Sequence, residues 1–178
     1  MTDSIYFEVI PAAEMPAAVR EQVVSLCTRA FEEDFDVLLG TFPGAMHVLA
    51  RLGSTLVSHA LWVTRWLQAG TAPPMRTAYV EAVATEEQFR NRGYASVVMK
   101  RLAGEIQDFE LGALSPSDHR FYERFGWQLW RGSLFIRKDE ELLATPADEE
   151  VMVLRLPMTP PLDLNAPLSA EWRAGELW

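Results

Sequence analysis

The sequence contains one cysteine, no long apolar run and comparatively few basic residues. Cys27 has no second cysteine with which to pair, so a disulfide within the chain is excluded. No apolar run reaches the ~20 residues needed to cross a bilayer. The opening residues Met1-Thr2-Asp3-Ser4 do not form a basic region followed by an apolar stretch, as a signal peptide would. We therefore expect a cytoplasmic protein that has no membrane partner.

The charge balance is acidic, with 16 Lys and Arg against 25 Asp and Glu and a formal net charge of −9. Nucleic-acid binding needs a basic face, so we expect no nucleic-acid partner. An acidic cleft would instead concentrate a cationic small molecule. The only histidines, His47, His59 and His119, lack the spacing of a metal site, so we expect no metal.

The length of 178 residues and the hydrophobic content of 49% predict one domain over residues 1–178 with a sizeable core. Helical periodicity marks an early helix, a second helix after residue 94 and a short third helix. The remaining periodic segments read as strands, mostly antiparallel, so the expected fold is mixed α/β with one main sheet flanked by helices. The predicted strands are 5–10, 45–51, 55–66, 78–84, 109–114, 127–137 and 151–156, and a turn at Leu52-Gly53-Ser54 joins the second and third of them as a hairpin. The early helix is predicted over 16–31, and the short third helix over 117–125 with Ser117 as its cap. Segments 32–36, 139–150 and 157–178 are predicted to lack regular structure.

A basic, glycine-containing segment separates strand 78–84 from the helix that follows it. It reads Gln88-Phe89-Arg90-Asn91-Arg92-Gly93-Tyr94-Ala95. The free N–H groups and positive dipole end at a helix start bind a phosphate, and Gly93 allows the backbone to approach it closely. The segment therefore predicts a phosphate-binding loop.

Glu81 lies in the otherwise apolar strand before this loop. A carboxylate there is costly unless it faces a polar cleft. We interpret it as a base acting through a water, or as an anchor for a substrate ammonium group. Backbone N–H groups near Val83 and Thr85 are candidates for binding the remainder of the phosphate-bearing ligand and polarising a carbonyl of it.

The spacing Arg90-x-x-Gly93-x-Ala95 and the run Phe121-Tyr122-x-x-x-Gly126-Trp127 resemble motifs of the GNAT acetyltransferase superfamily. The resemblance implies acetyl-coenzyme A as the acetyl donor and Tyr122 as the general acid that protonates the leaving thiolate. The cofactor-binding residues it implies are Val83, Ala84, Thr85, Arg90, Asn91, Arg92, Gly93, Tyr94, Ala95 and Ser96.

Nearly the whole chain is similar to the aminoglycoside 2′-N-acetyltransferases. The similarity is carried by Ala30–Phe35, Gly44–His47, Leu111–Ser115 and above all by Glu171-Trp172-Arg173-Ala174-Gly175-Glu176-Leu177-Trp178. It implies that Ser115 lies beside the thioester and that acids bind the drug's ammonium groups. The candidate substrate-binding residues are Asp34, Asp36, Glu81, Glu150, Glu176 and Trp178, the last through its carboxylate.

Segments 36–47 and 115–122 depart from the family pattern by being shorter. Both would lie near the substrate, so a smaller drug with a 2′-amine, such as kasugamycin, is an alternative to the deoxystreptamine type. Other acceptors remain open: a polyamine, a metabolite amine or a protein N-terminus. A non-catalytic acyl-coenzyme A sensor or drug-binding protein is a further alternative. We also consider a catalytic or substrate role for His119, and a homodimer.

Overall fold

The computed structural model describes residues 4–175 and 177–178. The chain forms two compact units. The first comprises the residues up to Val63 together with Val80–Gly104, and the second comprises Thr64–Tyr79 and Glu105–Trp178. Two long strands, β3 (Thr55–Ala69) and β4 (Met75–Thr85), each contribute residues to both units.

The first unit contains three antiparallel strands, the second half of β4 and nearly all of the helix that follows the basic loop. β1 (Ile5–Pro11) pairs with β2 (Met46–Leu52), which pairs with β3 across a tight turn. Helix α1 (Ala17–Phe31) buries Val23, Leu26 and Cys27. Helix α3 (Tyr94–Glu105) begins directly after the basic loop and buries Val98, Met99 and Leu102. The predicted first strand, first helix, hairpin and strand-loop-helix segment are all confirmed.

The acidic segment after α1 differs from its prediction as an irregular loop. A short helix, α2 (Phe35–Leu39), begins there because the Asp34 carboxylate accepts a hydrogen bond from the Asp36 N–H and caps the helix start. Phe35 is buried and anchors this helix. The Asp34 cap and the buried Phe35 ring together stabilise a helix in a segment that was predicted to be irregular.

The second unit has the strand order β6-β9-β5-β4-β3-β10-β7-β8. The β4/β5 and β10/β7 pairs are parallel and the other pairs with a described register are antiparallel, so the predicted mixed α/β class is confirmed. The elements are β5 (Leu111–Leu114), α4 (His119–Glu123), β6 (Gln128–Leu129), β7 (Leu134–Lys138), β8 (Glu141–Ala144), β9 (Met152–Arg155) and β10 (Leu168–Glu171).

Several predictions for the second half of the chain are wrong in detail. Segment 127–137 is two strands, and only Gln128–Leu129 pairs with β9. The supposed loop 139–150 contains β8, and the proline-rich segment 157–178 contains β10. Helix α4 is shorter than predicted and is capped by Asp118, whose carboxylate accepts from the Arg120 N–H, and not by Ser117. The strands in these segments form through pairing with residues remote in the sequence, and the start of α4 is determined by its local cap geometry.

Among the described residues, no helix is long and apolar enough to cross a membrane.

Candidate active site

The predicted phosphate-binding loop connects β4 to α3 in the first unit. Arg90, Asn91, Arg92 and Gly93 are exposed, and both Asn91 (φ 61°) and Gly93 (φ 85°) have left-handed backbone conformations. The Gly93 carbonyl accepts the first helical hydrogen bond, from the Val97 N–H at 3.1 Å. A helix start with exposed guanidinium groups beside it is suited to binding an anion.

A small cleft lies between α1 and the start of this loop. Thr85 and Arg90, two of the predicted cofactor residues, line it. The Arg90 Nε donates to the Thr85 carbonyl at 3.3 Å, and Arg29 of α1 forms an ion pair with Glu86 at 2.6 Å. Arg29 was not predicted as a site residue. Its position on α1, one turn after buried Leu26, is the only sequence signal that could have indicated it.

Strand β4 changes its backbone conformation next to Glu81. Ala82 has φ 52°, a left-handed value that a residue with a side chain adopts at a cost. Glu81, Ala82 and Val83 are half-buried. The departure from a regular strand therefore falls between the candidate base and the candidate cofactor-binding N–H groups.

Two side chains of β3 hold this part of β4. The Ser58 hydroxyl donates to the Ala84 carbonyl at 2.9 Å and lies 2.8 Å from the Thr85 hydroxyl. His59 Nδ1 lies 2.9 Å from the Ala82 carbonyl oxygen. Neither Ser58 nor His59 was predicted as a site residue. Two polar residues side by side within the otherwise apolar run 56–63 are the sequence signal for them.

Tyr122 is a buried residue of α4 in the second unit. Its ring makes edge contacts with Phe121 and Trp127, at centroid distances of 4.9 and 6.3 Å. Burial raises the pKa of its hydroxyl to about 12, with the Asp118 charge adding to the rise and a hydrogen bond with Ser117 opposing it. The phenol therefore keeps its proton at neutral pH, as a proton donor must.

Two other predicted residues of this unit lie near the ends of its elements. Ser115 is exposed and directly follows β5. His119 Nε2 lies 2.6 Å from a Glu150 carboxylate oxygen, which joins the two residues considered for substrate binding in one partly exposed pair. The structure thus gives Glu150 a partner that sequence spacing alone did not indicate.

The acids predicted to bind substrate in the first unit have local partners. Asp34 caps α2, and Asp36 forms an exposed ion pair with Arg20 at 2.5 Å. Both carboxylates are exposed, and each keeps a second oxygen for a further hydrogen bond.

The C-terminal segment is docked in the second unit by a buried arginine. Arg65, 1% exposed, donates to the backbone carbonyls of Leu177 and Glu171 at 2.7 and 2.8 Å. Its guanidinium lies 4.9 Å from the Tyr79 ring centre and 5.9 Å from that of Trp178. Trp178 is buried and donates its indole N–H to the Thr145 hydroxyl at 2.8 Å. Glu176 lies outside the described residues.

Within the part of the chain that the structure describes, no group of three or more His, Cys, Asp or Glu side chains is arranged to hold a metal ion.

Comparisons with known proteins agree with this arrangement. Residues 19–130 match the model of the acetyltransferase (GNAT) domain, and these residues include parts of both units. The chain is 33% identical over 177 residues to the aminoglycoside 2′-N-acetyltransferase of Mycolicibacterium fortuitum, covering 95% of this chain and 90% of that protein.

Solved structures show the same fold at lower identity. The GNAT family N-acetyltransferase YhbS of Escherichia coli, solved in complex with CoA, has a TM-score of 0.63 and 15% identity, covering 93% of this chain and 90% of that one. A GCN5-related N-acetyltransferase from Kribbella flavida has a TM-score of 0.58 and 19% identity over 72% of this chain. The present chain spans 34% of that longer protein. The chain therefore belongs to the GNAT acetyltransferase family and is an acyl-CoA-dependent N-acetyltransferase.

Proposed function

We propose that the protein transfers acetyl from acetyl-CoA to the 2′-amine of an aminoglycoside. The observation that carries this proposal is the 33% identity, over 95% of the chain, to a protein named for that reaction. The acidic composition supports it, because an aminoglycoside is a polycation and carboxylates form charge-assisted hydrogen bonds with ammonium groups. Because segments 36–47 and 115–122 are shorter than the family pattern, the drug is either of the deoxystreptamine type or a smaller one such as kasugamycin.

In this proposal the chemistry is a direct attack of the amine on the thioester carbonyl. Glu81 accepts a proton from the ammonium group through a water, or else anchors that group. The C–S bond breaks as the C–N bond forms, and Tyr122 gives its proton to the leaving thiolate, with Ser115 nearby. The raised pKa of Tyr122, about 12, supports this role because the phenol is protonated at working pH.

The remaining assignments concern binding. Arg90, Arg92 and the N–H groups from Gly93 to Ser96 hold the pyrophosphate of the cofactor. The N–H groups around Val83 and Thr85 hold its pantetheine arm and polarise its thioester carbonyl. Carboxylates of Asp34, Asp36, Glu150 and Glu176, with that of Trp178, hold the cationic drug. A resistance role, a cytoplasmic location and a homodimer stay predictions.

The experiment that tests the proposal is thiol release from acetyl-CoA against a panel of amines. The panel holds kasugamycin, gentamicin, neomycin, spermidine and a peptide with a free N-terminus. Turnover confined to the drugs with a 2′-amine supports the proposal, and the ranking among them names the substrate. Turnover only on spermidine or the peptide contradicts it and assigns the enzyme another amine.

A further inference from the structure

Three buried side chains of the first unit form a continuous series of polar contacts that ends at the backbone of β4. Cys27 Sγ lies 3.6 Å from His59 Nδ1, which lies 2.9 Å from the Ala82 carbonyl oxygen. On the other side of the same ring, His59 Nε2 lies 2.9 Å from His47 Nδ1. Cys27, His47 and His59 all have zero exposure. These contacts link α1, β2, β3 and β4.

Burial keeps every side chain of this group uncharged at neutral pH. It lowers the pKa of His47 to about 4. Burial and the neighbouring His47 lower the pKa of His59 to about 3, although the Ala82 carbonyl opposes the change. Burial also raises the pKa of the Cys27 thiol to about 12. Both imidazoles are therefore neutral, with one N–H each.

The hydrogen bonds then determine which nitrogen of each ring carries the proton. A carbonyl oxygen can only accept, so His59 Nδ1 is the donor to Ala82 and His59 Nε2 is an acceptor. His47 Nδ1 must donate to that acceptor, which leaves His47 Nε2 as a bare lone pair. Among the described residues, His47 Nε2 is a buried atom without a hydrogen-bond partner. The two hydrogen bonds therefore run in the same direction: His47 donates to His59, and His59 donates to the Ala82 carbonyl.

The peptide that His59 holds is the one that joins Ala82 to Val83. None of the described peptide bonds is cis, and in a trans peptide the carbonyl and the following N–H point in opposite directions. A hydrogen bond that draws the Ala82 carbonyl toward the His59 ring therefore aims the Val83 N–H away from that ring. The left-handed conformation of Ala82, φ 52°, needs such an external restraint because it is unfavourable for a residue with a side chain.

We propose that His59 is a positioning residue for acetyl transfer, which aims the Val83 N–H at the thioester carbonyl oxygen by holding the Ala82 carbonyl. During attack that oxygen gains negative charge, and an N–H already in place stabilises it without reorganisation. The inference rests on the proposed cofactor role of Val83. His47 assists by keeping the donor proton of His59 on Nδ1.

The first test compares three variants. His59→Leu removes the donor, whereas His59→Asn keeps one, because the Asn amide nitrogen is as many bonds from Cβ as His Nδ1. Cys27→Ala is the matched control, since it opens a small cavity in the same cluster and leaves the donor to Ala82 intact. Each variant is assayed well below its melting temperature, and kcat is calculated from the concentration of folded enzyme.

We expect His59→Leu to lower kcat by about 10- to 100-fold. This loss is smaller than the ~10²- to 10³-fold fall in kcat that follows deletion of an oxyanion donor, because the Val83 N–H is misdirected and not lost. His59→Asn should recover most of this loss, and Cys27→Ala should keep the wild-type kcat. The KM for the acceptor should change little in all three. A His59→Leu enzyme with wild-type kcat, or a His59→Asn enzyme as impaired as His59→Leu, overturns the proposal.

The acceptor is whichever amine supports turnover by the wild type, so failure of the aminoglycoside assignment leaves this test standing. A second measurement does not need the variants to fold. Nitrogen-15 NMR of the wild-type histidine rings should show both buried rings protonated at Nδ1. Protonation of His59 at Nε2 contradicts the proposal directly, because the Ala82 carbonyl would then have no donor.

Discussion

Arg65 donates a hydrogen bond of 2.7 Å to the backbone carbonyl of Leu177, which follows it by 112 residues. The same guanidinium bonds the Glu171 carbonyl and lies between the rings of Tyr79 and Trp178. An arginine is suited to this position because its planar group satisfies several acceptors and also stacks on aromatic rings. One buried side chain therefore docks the C-terminal segment.

Replacing Arg65 with Met should lower the free energy of unfolding by about 2–4 kcal/mol, since buried carbonyls lose their donor. Release of Trp178 by carboxypeptidase should also become faster. The matched control is Arg76→Met, because Arg76 is 40% exposed in its ion pair with Asp108. That variant should cost no more than about 1 kcal/mol in urea unfolding. Equal losses in the two variants would contradict the docking role of Arg65.

The two buried histidines predict a loss of stability in mild acid. Their folded-state pKa values, about 4 and about 3, lie below the value of 6.5 expected in the unfolded chain. Below pH 6.5 the unfolded chain therefore binds more protons, so stability is complete above that pH and falls as the pH drops toward the folded-state values.

The measurement is urea unfolding at pH 7.5 and pH 5. His47→Asn, which keeps a donor for His59 and cannot titrate, should lose about 2 kcal/mol less than the wild type over this interval. An identical loss in wild type and variant would mean that His47 is charged in the folded protein.

Gly132 is predicted to tolerate no side chain. A Cβ there would lie 1.8 Å from the Ala166 carbonyl oxygen, a backbone atom that cannot move aside. Gly132→Ala should therefore destabilise by more than ~3 kcal/mol or prevent folding. Gly104→Ala in helix α3 is the control, because nothing lies within 4 Å of its Cβ. Thermal unfolding should show that the control is unchanged or stabilised by ~0.5–1 kcal/mol.

Tyr122→Phe tests the proposed general acid. Removing the hydroxyl should reduce kcat by about 10²- to 10⁴-fold while the affinity for CoA is retained. The alkaline limb of the wild-type profile should show no Tyr122 titration below about pH 11, because burial raises its pKa to about 12. Tyr6→Phe is the control, since Tyr6 is 48% exposed and has no assigned role. A Tyr122→Phe enzyme with full activity would remove Tyr122 from the mechanism.

Local sequence patterns were sufficient where an element is determined by its own residues. The apolar periodicity of α1 and α3, the turn at Gly53-Ser54 and the loop before Tyr94 predicted the first unit closely. Strand β10 was missed because its residues Leu168–Glu171 follow a proline-rich stretch and form a strand only by pairing with β7 and β3. Such pairing depends on residues remote in the sequence.

The candidate site divides in the same way. Glu81, Tyr122 and the residues of the loop carry recognisable motifs, so they could be named from sequence. His59 carries no motif, and its contact with the Ala82 carbonyl depends on how β3 lies beside β4. Two histidines flanked by apolar residues in their strands were a signal of a buried polar pair, but their partners could not be assigned without the structure.

The central claim is most directly tested by comparing acetylation of kanamycin A and kanamycin B. These drugs differ only at the 2′ position, which carries a hydroxyl in the first and an amine in the second. Thiol release from acetyl-CoA should occur with kanamycin B alone, and NMR of the product should place the acetyl group on the 2′-nitrogen. Equal turnover on the two drugs, or acetylation at another amine, would contradict the proposed function.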